Sequence, residues 1–356
     1  MPQLGWSLPQ GRTGAFEIKG ELSSPLKIDS VSLSAEGLLA EGQLRLTETG
    51  ALDRINLTSV KVGNWLESSV LLTGRGTGKA PAVAVTGGWI DLRKTSIGSG
   101  SSSSNEKAEG GGPITLSLDK LIVSEGIALT NFAGRFETAK GFDGVFQARV
   151  NGKAAVRGQV LPQNGRTGFR ITSDDAGAVF AASGLLKKAS GGELDLTMRP
   201  AKQAGSYDGS LRVKNIRLRE APAMAALLSA VSVVGLLEQL GGQGIPFMEV
   251  DADFHLSPTT ATVLRSSAVG ASIGLSMDGT YDLRSGVMNM QGVVSPLYML
   301  NGIGSILTRK GEGLLGFNYR LEGQAANPKV FVNPLSIFTP GMFREIFRRP
   351  PPKVTQ

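Results

Sequence analysis

One long apolar stretch, residues 221–240, stands in a chain that otherwise alternates, and it limits the possible folds more than any other segment. It reads APAMAALLSAVSVVGLLEQL, with Pro222 at a first helical position and Gly241 and Gly242 as a stop. Ser229, Ser232, Gly235 and Gln239 form a narrow stripe of small or polar residues, while Met224, Leu227, Leu228, Val231, Val234 and Leu237 cover most of the remaining circumference. The pattern predicts one long apolar helix over residues 221–240 that has to be buried. A transmembrane span fits less well, because residues 221–237 fall short of a comfortable crossing and include a proline, two serines and a glycine. Packing against a sheet remains, and the helix then either plugs a groove or belongs to an ordinary core.

The surface that receives it is β. Between residues 248 and 256, Met248, Val250, Ala252, Phe254 and Leu256 point one way, and Glu249, Asp251, Asp253 and His255 the other. Ala271, Ile273, Leu275 and Met277 repeat the alternation, as do Leu315, Phe317, Tyr319 and Leu321, with a short helix expected between residues 296 and 308. Earlier sets are Phe16 and Ile18, Leu44 and Leu46, Ile55 and Leu57, Ile114 to Leu118, Phe146 to Val150, and Leu194 to Met198. Glycine at 48 residues suits short strands joined by tight turns. Strands and helices do not alternate regularly, so the expected class is mainly β: a long antiparallel sheet. About 20 strands at ~4.8 Å spacing make a sheet on the order of 100 Å long, which must curl over its dry face into a groove. Such a lining can shelter hydrocarbon, since a diacyl lipid with ~30 methylenes faces roughly 25 kcal/mol on entering water.

Residues 98–112 (GSGSSSSNEKAEGGG) are almost free of apolar side chains and read as a flexible loop. They divide the chain into a β-groove segment over residues 1–97 and a second β-groove region over residues 113–356. The net charge of +7 is mostly dispersed, apart from Arg212, Lys214, Arg217 and Arg219 before the apolar stretch, and Arg344, Arg348, Arg349 and Lys353 at the end. Both clusters flank apolar helices rather than aromatic platforms, which points to lipid head groups and away from nucleic acid. Thr339 and Pro340 start a short C-terminal helix whose Met342, Phe343, Ile346 and Phe347 form an apolar face beside Arg344 and Arg348, a membrane-contact pattern. The alternative is that this face closes the end of the sheet.

Chemistry-bearing residues are few. Zero cysteines and the single His255 remove thiolate sites and the usual nucleophile–base sets. Glu249, Asp251, Asp253 and His255 have ligand-type atoms on one strand face, but an amphipathic strand must expose polar groups anyway. Asp174 and Asp175 are adjacent and read as a solvated turn rather than an acid–base pair. No enzyme activity, cofactor or metal is expected.

The segment from Leu211 through the apolar stretch, GEGLLGF at residues 311–317 and VNPLSIFTPGMFREIF at residues 332–347 resemble the C-terminal region of AsmA-like proteins of the YhdP type. VTGGWIDLRK at residues 85–94 is similar to the close of a domain found upstream in that family. The resemblance implies a repeating β-groove, related to bridge-like lipid-transfer proteins, that carries phospholipid between inner and outer membranes of a bacterial envelope. The implied partners are phospholipids, one or both membrane surfaces and other envelope proteins. Family members begin with an inner-membrane helix, so a periplasmic location anchored to the inner membrane is implied, although the start of this chain shows neither such a helix nor a signal peptide. The expected groove lining is Met248, Val250, Phe254, Leu256, Ile273, Leu275, Met277 and Phe317. A structural envelope scaffold whose dry faces pack on each other is the second reading, and a hydrolase of unfamiliar type the third.

Overall fold

A computed structural model of the chain describes residues 11–21, 23, 27–94, 111–163, 165–296, 310–313, 315–339 and 352. It is mainly β, as the alternation predicts, and its contacts divide it into two units, Met1–Gly168 and Phe169–Gln356. The division falls inside the strand Arg166–Ser173 rather than at residues 98–112, whose loop reading lies, but for Gly111 and Gly112, outside the described residues.

Unit 1 holds β1 (Ala15–Glu21), β2 (Lys27–Ala35), β3 (Leu38–Leu46), β4 (Leu52–Val62), β5 (Leu66–Thr73), β6 (Ala82–Asp91), β7 (Pro113–Ser124), β8 (Ile127–Glu137), β9 (Asp143–Val150) and β10 (Ala154–Gln163). Each pairs with the next, and all these pairs are antiparallel except β6–β7. That pair is parallel, with Val83 beside Ile114 and Asp91 beside Ile122, so the chain after β6 must return to the level of its start. The WIDLR sequence makes the exit. Ile90 stays in the core while Asp91, only 2% exposed, accepts Arg93 Nε and Nη2 at 2.8 and 2.7 Å and the Arg93 backbone N–H at 3.1 Å, which bends Leu92–Lys94 into a 3-10 turn.

The Arg93 hydrogen bond outweighs burial and holds the Asp91 carboxyl below its usual range. A carboxylate so depressed stabilises the fold above its unfolded value of about 4, and the contribution fades as pH falls through the lower folded value. Asp91→Asn is therefore expected to lower unit 1 stability by about 1–3 kcal/mol at pH 7, and by less at a pH below about 4, where the gap to the native chain narrows as pH falls. Parallel melting curves at both pH values check this; a gap that persists at low pH would assign the loss to packing instead.

Unit 2 is built of β11 (Arg166–Ser173), α1 (Ala176–Ala182), β12 (Ala189–Ser190), β13 (Glu193–Pro200), β14 (Tyr207–Leu218), α2 (Pro222–Ala230), α3 (Val234–Gly241), β15 (Ile245–Leu256), β16 (Thr260–Val269), β17 (Ile273–Asp282), β18 (Val287–Pro296), β19 (Phe317–Gln324) and β20 (Lys329–Asn333). From β13 to β20 each strand pairs antiparallel with the next, and β11 pairs with β13. Asp175 caps α1 by accepting the Ala178 N–H at 2.9 Å, which gives one of the two adjacent aspartates a structural role.

The long helix over residues 221–240 is corrected to two short ones. α2 starts at Pro222 as expected, but it ends in a Schellman closure: Val233 N–H reaches Leu228 O at 3.1 Å and Ser232 N–H reaches Ser229 O at 3.0 Å, with Ser232 at φ 56°. The run Val231–Ser232–Val233 has poor helix propensity, and the break lets α3 lie back on the sheet. Among the described residues no helix is long and apolar enough to cross a membrane. The helix expected after residue 296 and the one after residue 340 both lie outside the described residues.

Candidate functional site

The strand registers of unit 1 align apolar side chains into rows that run across the sheet. One passes from Ile18 through Val31, Gly42, Leu57, Val70 and Val85 to Leu116, Gly134, Phe146 and Gly158, one position on each of ten strands. A second runs from Ile28 through Leu44, Ile55, Leu72 and Val83 to Ile114, Phe136 and Val160, with Gly144 between the last two. Ten strands at ~4.8 Å make each full row about 40 Å long. At Gly134 and Gly158 a neighbouring ring fills the gap, and a Cβ built on Gly158 would lie 2.0 Å from the Phe146 ring, whereas at Gly42 a Cβ would meet the backbone of Asn56. Phe132, Phe136, Phe142 and Phe146 stack near these gaps with centroids 4.8 to 6.4 Å apart.

Among its described residues unit 1 holds no α-helix to cover these rows. Their exposure is graded. Phe136 and Val160 are almost closed at 4% and 3%, the side chains of Ile55, Leu57, Val70 and Leu72 are half-buried, and Ile18 on β1 is 49% exposed.

Unit 2 carries similar rows, for instance Leu194, Val213, Val250, Ala268, Leu275, Val294 and Phe317. Here the helices cover them. Leu227, Leu228 and Leu240 share one core with Val213, Ile245, Phe247, Ile273 and Val294, and Val250, Leu275, Met277 and Phe317 pack against it. Of the expected lining residues, Ile273 is fully buried in this core, while Phe254 and Leu256 stay half-buried and outside it. Phe254 lies over Gly209, where a Cβ would come within 2.1 Å of the ring.

Met248 does not join its expected neighbours. It is exposed, whereas Ile245 and Phe247 are buried, so the inward face changes parity along β15. The partner strand changes at the same level: Val213 points in, Asn215 adopts φ 56°, and Ile216 points in next. The membrane-contact residues Met342, Phe343, Arg344, Ile346, Phe347 and Arg348 lie outside the described residues.

The acidic face of β15 is neutralised by cations. Arg212 Nε sits 3.3 Å from Asp251, Lys310 Nζ lies 2.5 Å from Asp251 and 2.8 Å from Glu249, and Arg265 pairs with Asp253, while His255 Nδ1 is within hydrogen-bond distance of Asp208, at 2.7 Å. Partial burial pushes Asp251 up, but Lys310 and Arg212 outweigh it and hold the carboxyl below its usual value. Among the described residues no three metal-ligating side chains converge.

The GEGLLGF sequence has a structural part that spacing alone does not reveal. Glu312, 3% exposed, accepts Ser276 Oγ at 2.6 Å, and Gly313 N–H donates to Ser295 Oγ at 2.9 Å. With Lys310 these contacts fasten the segment across the outer face of β15, β17 and β18, where Ser276 and Ser295 are buried beneath it. Unit 2 is thus covered on both faces. Ser276 and Glu312 escaped the sequence reading because a polar residue on the outer side of a strand ordinarily faces water.

No family model, no curated protein and no solved structure matches the chain.

Proposed function

We propose that the chain shelters phospholipid acyl chains on an apolar β-face and conducts them between the inner and outer membranes of a bacterial envelope. The observation that carries this reading is the set of in-register apolar rows in unit 1, half-buried and without a helix over them among the described residues. Such a row offers acyl chains an unbroken surface about 40 Å long, more than the ~30 Å hydrocarbon thickness of a bilayer. At ~0.8 kcal/mol for each methylene kept from water, contact along that length offsets most of the cost of leaving a membrane. Unit 2, whose rows α2 and α3 cover, is then a closed core rather than lining. The AsmA-like resemblance supports the same reading and gives the periplasmic side of the inner membrane as its place. No catalytic step, cofactor or nucleic acid enters it.

A scaffold role is favoured by one observation, the closed core of unit 2. Photocrosslinking separates the two. Photoreactive residues at Leu57, Val70 and Leu72 are expected to capture phospholipid in cells, with weaker capture at Phe254 and none at buried Ile273 or at outward-facing Glu41 and Lys61. Capture that is equal on both faces, or absent from unit 1, would leave only the scaffold.

A further inference from the structure

The end of β14 gathers cations on the outer face of unit 2, the side away from α2 and α3. Val213, Ile216 and Leu218 point into the core there, so Lys214, Arg217 and Arg219 point outward and are exposed. Their surroundings draw the charges together. On one side Ser190 lies opposite Arg217, and Arg219 N–H donates to Lys188 O at 3.0 Å, which sets Lys188 opposite Arg219. On the other side lies Gly244, where a Cβ would come within 2.4 Å of Arg219 Cγ and 2.9 Å of Arg217 Cγ. The missing side chain lets both arginine stems lean over one spot.

Carboxylates of the chain do not balance this group. Lys188 Nζ holds Glu220 at 2.5 Å, while Glu249 is taken by Lys310 and Asp251 by Lys310 and Arg212. Arg217 donates to the carbonyls of Gln243 and Gly244, at 3.2 and 3.4 Å. Among the described residues Lys187, Lys214 and Arg219 form no side-chain ion pair, although Glu193 stands opposite Lys214 across β13 and β14. Like charges set opposite one another repel, so an anion from outside would stabilise the group.

Two apolar side chains project from the same region. Met248 follows Phe247, which is opposite Ile216, and precedes Glu249, which is opposite Lys214; the change of inward face turns it outward among the cations, 46% exposed. Leu185 is 68% exposed and stands three residues before Lys188, so it lies within about 11 Å of it. Phe247, the one aromatic residue in these stretches, is buried, which argues against stacked nucleic-acid bases.

We infer that this corner of unit 2 docks on an anionic lipid bilayer, with Lys188, Lys214, Arg217 and Arg219 against head-group phosphates and Leu185 and Met248 entering the head-group boundary. Such a surface suits both features, because its phosphates neutralise the cations while its interface takes the apolar tips out of water. A free phosphate would meet the arginines alone and leave both apolar side chains in water. The inference rests on the proposed function for its membrane setting, and it asks nothing about what the unit 1 rows carry.

Flotation of the full chain tests it. The chain should float with vesicles containing phosphatidylglycerol, stay behind with phosphatidylcholine alone, and be released by high salt. Arg217→Gln with Arg219→Gln, both surface changes, should leave the melting curve unchanged and weaken binding at least about tenfold, at about fivefold per cation. Because the chain has no cysteine, Leu185→Cys can carry a polarity-sensitive dye. That dye should shift to the blue on phosphatidylglycerol vesicles, whereas a dye at Leu283→Cys, a leucine 45% exposed beyond the opposite strand ends, should not. The inference fails if the double substitution floats as the native chain does, if both dyes shift equally, if inorganic phosphate alone shifts the Leu185 dye, or if a single-stranded oligonucleotide binds more tightly than the vesicles. Photocrosslinking along unit 1 reads the conduit separately, so loss of lipid capture there would leave a positive docking result standing, and loss of docking would leave capture standing.

Discussion

Leu228→Asp is expected to abolish the cooperative unfolding transition of unit 2, whereas Ile55→Asp should leave unit 1 folded and stop lipid capture. Leu228 is fully buried among α2, α3 and the sheet, with no polar partner in its core. An unpaired charge placed there costs more than about 4 kcal/mol, comparable to the whole stability of a small domain. Ile55 is half-buried between Leu44 and Leu72, on rows without a helical cover, where water can hydrate a carboxylate. Its cost should stay near 1–3 kcal/mol, while a charge in the middle of a row interrupts the apolar path. Circular dichroism melts with limited proteolysis measure the first effect, and lipid co-purification measures the second. If Ile55→Asp unfolds unit 1 as thoroughly as Leu228→Asp unfolds unit 2, the rows are a closed core and the conduit reading is lost.

The contrast between these two positions follows local patterning that the sequence shows and tertiary cover that it does not. Alternation placed Val250, Phe254, Leu275, Met277 and Phe317 on one face, and the registers agree, because a strand with one dry side tolerates no slip. Met248 fails the same rule because φ 56° at Asn215 marks a change of inward face on both paired strands. Asparagine tolerates that conformation, but nothing nearby in the sequence marks it as a turn. Ser232 hides the end of α2 in the same way, since glycine is the usual signal for a left-handed closure. The carboxylates of β15 read as a solvated strand face, and their pairing stays hidden because Lys310, which neutralises Glu249 and Asp251, comes from far along the chain. Only the registers show that the rows align across ten strands. Composition had shown no more than that a dry face exists.

Residues 95–110 have a length threshold set by the parallel pairing of β6 and β7. Asp91 stands beside Ile122 and Val83 beside Ile114, so the chain leaves β6 at one end of the pair and enters β7 at the other. The return covers about nine residues of strand, roughly 30 Å at ~3.3 Å each. A fully extended connection gains at most ~3.3–3.6 Å per residue, so about nine residues are the least that can span it. Replacing residues 95–110 by glycine and serine chains of decreasing length should therefore leave the melting temperature nearly level down to about ten residues, because loop-closure entropy changes by only ~0.6 kcal/mol per halving. Below about eight, the Asp91–Arg93 turn or the β6–β7 pair has to break. The pair lies inside every row, with six strands (β1 to β6) on one side and four (β7 to β10) on the other, so its loss should cut unit 1 in two and expose Val83, Val85, Ile114 and Leu116. Melting curves over the length series, with proteolysis at the β6–β7 junction, test this. A smooth decline with length instead of a step would mean that the connection contributes packing of its own, and no change at four or five residues would contradict the parallel pairing itself.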